Sequence, residues 1–286
     1  GSTGKPKGVE VIHKGLLNRF KWEVDDFNWN EEDVFVLKTP YTFDVSLFEI
    51  VIPICIGAKL IITEEDKFKE SNYIFQMIEN YQITYIHFVP SVLDIFIEYL
   101  SFIKSNNEQI KLKSLKGIIC SGEALLDTTR IKLYDLLKNC KLINLYGPTE
   151  ATIEVCKFIC EKSNQPRRMF IGEPVSNTKL YVLNSRLEKL PIGMIGELYI
   201  GGVQVAKGYL NNPELSSKSY LLNPFDEGRL YKTGDLVKLW PNGLIEYIGR
   251  EDSQVKIGGT RVELSEIETT ISTYQGVQSV VVLYSS

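Results

Sequence analysis

No stretch of the 286 residues is long, apolar and uncharged enough to reach the roughly 18 positions of a membrane helix. The polar, glycine-rich N-terminus lacks the apolar run of a signal peptide. Basic clusters are missing as well. Lys and Arg together number 32 against 36 Asp and Glu, and the net charge of −4 gives no long-range attraction for nucleic acid or an anionic lipid surface. Neither nucleic acid nor membrane is therefore expected as a partner. Cysteine is scarce: Cys55, Cys120, Cys140, Cys156 and Cys160 are odd in number and lack paired metal-ligand spacing. They read as small buried hydrophobes in a reducing compartment, which makes a cytoplasmic location the expectation. Internal repeats and low-complexity tracts are absent. What is present, 44% hydrophobic and 24% charged residues, is the profile of a soluble globular protein with a sizeable core.

Short β-branched apolar runs at 34–37, 59–62, 84–88, 117–120 and 142–145 alternate with helical patterns at 46–56, 71–81, 92–102 and 127–138. That alternation predicts βα units around a mostly parallel sheet, with Asp127 or a neighbouring Thr capping the last helix. After about residue 162 the texture changes to short strands at 179–183, 197–200, 229–231, 236–240 and 244–248. Pro241-Asn242-Gly243 supplies a hairpin turn, because Asn-Gly takes positive φ readily. This half reads as mainly β, a small distorted barrel. From Ser253 onward a strand or hairpin, a helix at 263–273 and a strand at 277–284 fall short of the roughly 40 residues an independent core needs, and mark the start of another domain. The expected fold class is α/β: residues 1–175 form the α/β part, 176–251 the β part, and 252–286 the incomplete third, with both ends looking cut.

Several segments carry chemistry. Gly1-Ser2-Thr3-Gly4-Lys5-Pro6-Lys7-Gly8 has the composition of a phosphate loop: glycines for close backbone approach, hydroxyl donors and cationic lysines. Pro6 after Lys5 excludes a Walker loop, and by itself such a stretch is more often a flexible surface loop. Asn144-Leu145-Tyr146-Gly147-Pro148-Thr149-Glu150 closes a predicted strand at its carboxyl end, where open α/β sheets place ligands. There a tyrosine can stack on a base, a threonine reach a phosphate and a glutamate hold Mg²⁺. Gly196-Glu197-Leu198-Tyr199-Ile200-Gly201-Gly202, Tyr231-Lys232-Thr233-Gly234-Asp235-Leu236 and Gly249-Arg250-Glu251-Asp252-Ser253-Gln254-Val255-Lys256 follow. The Asp after the Thr-Gly turn suits a sugar diol, since a carboxylate accepts two hydrogen bonds at once.

In this order and spacing the five segments resemble the core motifs of the adenylate-forming, AMP-binding superfamily, and the match runs the length of the chain. The resemblance implies that Ser2, Thr3 and Lys7 lie on the loop closing over the phosphates of ATP. It implies that Gly122, Glu123 and Ala124 border the adenine, that Tyr146 lies against its face, and that Asn144 and Tyr247 stand beside the nucleotide. Thr149 would contact the phosphate and Glu150 the Mg²⁺, Asp235 would hold the ribose hydroxyls with help from Arg250, and Asp252 would be the hinge to a C-terminal α+β lid. Thr149, Glu150 and Lys7 are the implied catalytic set.

Tyr41-Thr42-Phe43-Asp44-Val45-Ser46 resembles, more narrowly, the amino-acid adenylation domains of nonribosomal peptide synthetases. In those the Asp of Phe-Asp-x-Ser pairs with the substrate's α-ammonium, a contact that acyl or aryl acids cannot use. The alternative for Asp44 is an N-cap of the helix starting near Ser46. The side-chain pocket carried over by resemblance is Val45, Phe48, His87, Ile119, Ser121, Leu145, Ile153 and Glu154. His87 and Glu154 could serve a polar or basic side chain; equally, His87 could be a hydrogen-bonded interior residue, and His13 reads as surface.

The implied reaction is formation of aminoacyl-AMP and pyrophosphate, then thioester transfer to a carrier protein bearing phosphopantetheine, among other synthetase domains. The alternatives are an acyl- or aryl-CoA ligase of the same superfamily, or a nucleotide-binding module without turnover. The chain begins at the phosphate loop and ends soon after the hinge, so by itself it is expected to adenylate poorly. Gly258 stands where relatives usually carry arginine, as does Lys207.

Overall fold

The computed structural model describes residues 7–64, 67–163, 165, 167–251, 254–272, 274, 276–277 and 279–284. Ser2, Thr3 and Asp252 lie outside them.

The first part begins with helix α1 (His13–Phe27), strand β1 (Val34–Leu37), α2 (Ser46–Ile56), β2 (Lys59–Ile62) and α3 (Ser71–Tyr81). It continues through β3 (Tyr85–Phe88), α4 (Pro90–Ser105), β4 (Gly117–Cys120), α5 (Asp127–Leu136) and β5 (Lys141–Tyr146). A 3₁₀ turn (Thr149–Ala151), β6 (Cys156–Ile159) and β7 (Glu173–Pro174) complete it. β1 and β2 pair in parallel, and β3, β4 and β5 form the parallel half of a second sheet that β6 and β7 extend antiparallel. β3 and β4 are buried along their whole length, which is why they read as unbroken apolar runs. α4 places Pro90 in its first turn, where a missing N–H costs nothing, and buries Leu93, Phe96, Ile97 and Leu100 on one helical face.

In the second part β8 (Thr178–Leu183), β9 (Ile195–Gly202), α6 (Pro213–Ser219), β10 (Tyr220–Leu222), β11 (Arg229–Leu239) and β12 (Ile245–Arg250) follow one another. The sheet runs β10-β11-β9-β8 with β12 also on β11, all antiparallel. It stays open: no pairing among the described residues closes the expected barrel. The strands expected at 229–231 and 236–240 are one strand, because β11 continues through a bulge opposite Tyr199 and Glu197. The turn Pro241-Asn242-Gly243 forms as expected, except that only Gly243 takes positive φ (83°). Gly243 N–H donates to the Trp240 carbonyl at 2.9 Å, and Asn242 Oδ1 accepts from Leu244 N–H at 3.2 Å.

The third part is the hairpin β13 (Gln254–Ile257) and β14 (Thr260–Glu263), then α7 (Leu264–Ser272). The described residues of 277–284 form no strand, contrary to the pattern-based expectation. Asp127 is not a cap: Leu126 holds that position, and the Asp127 carboxylate instead accepts from Arg130 Nε at 2.6 Å and Arg167 N–H at 2.8 Å. Of the cysteines, Cys55 is exposed and the other four are buried. His13 is exposed, as expected. Among the described residues no helix is long and apolar enough to cross a membrane.

Candidate active site

A cavity of ≈ 410 Å³ opens at the carboxyl ends of β3, β4 and β5, bordered on its far side by β11, β12 and the β13–β14 hairpin. Asp44, Val45, His87, Ser121, Gly122, Tyr146, Thr149, Ile153, Glu154, Asp235 and Arg250 all line it. Residues from Asp44 to Arg250 therefore share one concave surface at the place where parallel sheets bind ligands.

Asp235 lies in the β11 bulge, out of register with β9 while paired with Arg250 of β12, and it lines the cavity. Gly234 supplies the positive φ (75°) of that bulge, and its N–H donates to Glu197 Oε1 at 2.9 Å. Thr233 Oγ1 accepts from Asp235 N–H at 2.9 Å and donates to the Leu198 carbonyl at 2.7 Å. The carboxylate is gripped from both sides: the Tyr146 hydroxyl donates to Oδ2 and Arg250 Nη1 to Oδ1 at 2.7 Å. Burial and the neighbouring Asp235 push the Tyr146 phenol well up, so it remains a donor. Each carboxylate oxygen keeps a second lone-pair direction for a ligand hydroxyl.

The loop after β5 is shaped by close approach and backbone strain. A Cβ on Gly147 would lie 2.4 Å from the Ile153 carbonyl and 2.5 Å from Glu154 Cα, so no larger residue fits there. Thr152 and Ile153, both β-branched, sit at φ 60° and 73°, a conformation such residues rarely adopt. Gln204, fully buried, holds them: its Nε2 donates to the Glu154 carbonyl at 2.8 Å and to those of Ala151 and Thr152 at 3.3 Å. Thr152 Oγ1 donates back to the Gln204 carbonyl at 2.6 Å. Glu150, beside this loop, is buried and accepts from the Tyr209 hydroxyl at 2.7 Å, while Lys7 Nζ lies 5.7 Å from the centre of the same tyrosine ring.

Asp44, also on the cavity wall, accepts no cap bond. Val45 is the N-cap of α2, and Asp44 contributes only its carbonyl, to Leu47 N–H at 3.0 Å. His87 is buried with Nε2 2.9 Å from Ser121 Oγ and Nδ1 without a partner. Burial, with Lys38 and Arg19 nearby, holds its pKa well below the ordinary value, so the ring is neutral. Behind Glu154 lies an arginine that sequence reasoning misses. Arg19 of α1, fully buried, directs Nε (2.6 Å) and Nη2 onto Glu154 Oε2, and Nη1 onto Glu23.

The sequence matches the family described as AMP-binding enzyme over residues 1–210. The chain belongs to the AMP-binding enzyme family. It is 38% identical over 284 residues to tyrocidine synthase 3 of Brevibacillus parabrevis, covering 99% of this chain and 4% of that protein. Against vanchrobactin synthetase VabF of Vibrio anguillarum the identity is 42% over 287 residues, 99% of this chain and 10% of the relative. The chain thus spans a tenth or less of the length of these curated relatives. Among solved structures, the Vibrio cholerae adenylation domain AlmE in complex with glycyl-adenosine-5'-phosphate matches with a TM-score of 0.86 and 32% identity, over 98% of this chain and 52% of that one.

Within this AMP-binding enzyme chain the expected site residues divide into two groups. Phe48, Ile119 and Leu145 are buried behind the cavity wall, in one cluster with Val45 and Ile153. Glu123 spans Ser91 N–H (3.2 Å) and Gly259 N–H (3.0 Å), so its carboxylate clasps the β13–β14 hairpin. Ala124 is exposed, Asn144 donates to the Phe170 carbonyl at 2.8 Å, and Tyr247 packs on the second sheet's core; none lines the cavity. Glu150 and Lys7 do not line it either, but meet on Tyr209. Besides Arg19 and Gln204, sequence reasoning misses Lys38 and Thr39, cavity residues whose N–H groups both donate to buried Glu49.

The buried Arg19–Glu23–Glu154 triad makes stability depend on pH. Desolvation pushes the Glu23 carboxyl up to about 8, against the opposing pull of Arg19 and with a further push from Glu154. Because the folded value lies above the unfolded one, this group's contribution is complete below about pH 4.5 and is lost as pH rises towards about 8. Glu23→Gln is therefore expected to flatten the fall in melting temperature between pH 5 and pH 8, by the equivalent of a few kcal/mol, roughly. Identical thermal-melt profiles for the two proteins would show that Glu23 is ionised throughout.

Proposed function

We propose that this chain is the activating core of a nonribosomal peptide synthetase: an amino-acid carboxylate attacks the α-phosphate of ATP, giving aminoacyl-AMP and pyrophosphate. The observation that carries the reading is two carboxylates from distant parts of the chain on the wall of one cavity, Asp44 with no side-chain partner among the described residues and Asp235 braced by Tyr146 and Arg250. One is suited to an α-ammonium, the other to a ribose diol. Tyr146 offers its ring and Gly122 its backbone to the adenine, and Thr149 reaches the phosphate. Alignment and charge neutralisation do the chemical work, since the attacking carboxylate is already ionised at neutral pH.

Mg²⁺ suits a site with one carboxylate and several phosphate oxygens. The described residues contain no group of three or more His, Cys, Asp or Glu able to hold a metal by themselves; Glu150, next to the cavity residue Thr149 but bonded to Tyr209 and off the cavity wall, would hold the ion only together with the nucleotide's phosphates. When bound, the ion supplies neutralisation of charge on the reacting phosphates. Residues 1–175, 176–251 and 252–286 serve as phosphate-and-substrate layer, nucleotide-gripping sheet and hinge with the start of a lid, Asp252 being the hinge. Ser2, Thr3 and Lys7 close over the phosphates. In the whole protein the adenylate passes to a phosphopantetheine-bearing carrier protein, in the cytoplasm, alongside other synthetase domains.

Amino-acid-dependent ATP–pyrophosphate exchange by the full-length protein tests this. Exchange with at least one of the twenty common amino acids or ornithine is expected; a complete absence sinks the reading.

A further inference from the structure

Glu154 is a buried carboxylate on the cavity wall a short way from Asp44, whose charge is felt at Glu154. If Asp44 takes the α-ammonium, Glu154 faces the substrate's side chain. A lone carboxylate there would call for a cation, because a buried charge without a partner is strongly unfavourable. The partner, however, is already built into the protein. Arg19 does not line the cavity; it approaches from α1, with Nε and Nη2 both on Glu154 Oε2 and Nη1 on Glu23. Guanidinium is planar, always charged and held at three contacts, so it is not a group that a ligand ammonium displaces readily.

The charge count follows from the geometry. Glu154 receives two donors from Arg19 and Glu23 only one, with Glu23 Oε1 left unpartnered. Burial pushes both carboxyls up, and with two Arg19 donors on Glu154 against one on Glu23 the shared proton belongs on Glu23, which leaves one cation and one anion. A cationic side chain entering here would meet a compensated carboxylate backed by a guanidinium. Beside Glu154 on the cavity wall stand two neutral polar groups, the His87 imidazole and the Ser121 hydroxyl, with Nε2 and Oγ 2.9 Å apart. Such groups satisfy a hydroxyl or a carboxamide.

We propose that Arg19 is a specificity-determining residue: by neutralising Glu154 from behind, it fits the amino-acid end of the cavity to an uncharged, hydrogen-bonding side chain. This rests on the amino-acid activation proposed above. Of the sequence-based expectation that His87 and Glu154 could serve a polar or basic side chain, it keeps the polar half and sets aside the basic one.

The test is pyrophosphate exchange by the full-length protein across neutral polar, cationic and acidic amino acids. Wild type is expected to favour a hydroxyl- or carboxamide-bearing amino acid over lysine, ornithine and arginine by at least about 100-fold in kcat/KM. Best activity with a cationic amino acid overturns the proposal and leaves the activation reading standing, whereas no exchange with any amino acid overturns both. Arg19→Met is expected to narrow the neutral-to-cationic ratio by about tenfold or more, and Arg19→Lys to restore most of it. Should Arg19→Met not fold, the double variant Arg19→Met/Glu154→Gln removes both charges together and is expected to keep the neutral preference. An unchanged ratio in folded Arg19→Met, or a double variant that accepts lysine, overturns the proposal.

Discussion

Asp44→Ala is expected to lower kcat/KM for the amino acid by roughly 10²–10³-fold while leaving the Kd for ATP unchanged. The carboxylate lines the cavity without a side-chain partner among the described residues, and α2 is capped by Val45, so its removal breaks no helix cap. The loss falls on recognition of the α-ammonium, a charge-assisted contact worth more when water is excluded. Steady-state exchange with the amino acid varied at saturating ATP, and calorimetry with ATP alone, measure the two quantities separately. An acyl- or aryl-CoA ligase would be indifferent to the substitution, and an unchanged kcat/KM would move the assignment to that class.

The second large effect is expected at the other carboxylate. Asp235→Ala should raise the KM for ATP on the order of 10²-fold, since hydrogen bonds to a charged group contribute about 1.5–3 kcal/mol each. Arg250 and the Tyr146 hydroxyl then lose their shared partner inside a half-closed cavity. Tyr146→Phe removes only one of the two braces and is expected to be milder. If Asp235→Ala alters the KM for the amino acid and not that for ATP, the assignment of the two carboxylates is reversed.

How much of this is legible in the sequence follows from which residues carry each element. β3 and β4 announce themselves because both of their faces are buried, leaving no polar residue to break the run. α1 escapes the pattern for the opposite reason: Arg19 and Glu23 lie on its buried face, where a periodicity of apolar residues is the signal sought. The same two side chains supply the counter-charge of Glu154, so the missed helix and the missed site residue have one cause. β11 reads as two strands since Thr233-Gly234 looks like a turn; in the folded chain it is a bulge, and Asp235 lies in it. Many short antiparallel strands suggest a barrel, but β8 remains an edge with no strand on its outer side among the described residues. Glu123 could not be recognised as a clasp, because its partners Ser91 and Gly259 are distant in sequence and engage through backbone N–H groups, which leave no mark on residue identity.

Gln204 belongs to the loop after β9, yet it dictates the path of the chain that carries Ile153 and Glu154. Re-engineering substrate choice by exchanging only wall residues would leave this foreign strut in place, forcing any imported loop to accept its spacing. Successful transplants should therefore carry residues 203–206 and Arg19 along with the wall itself.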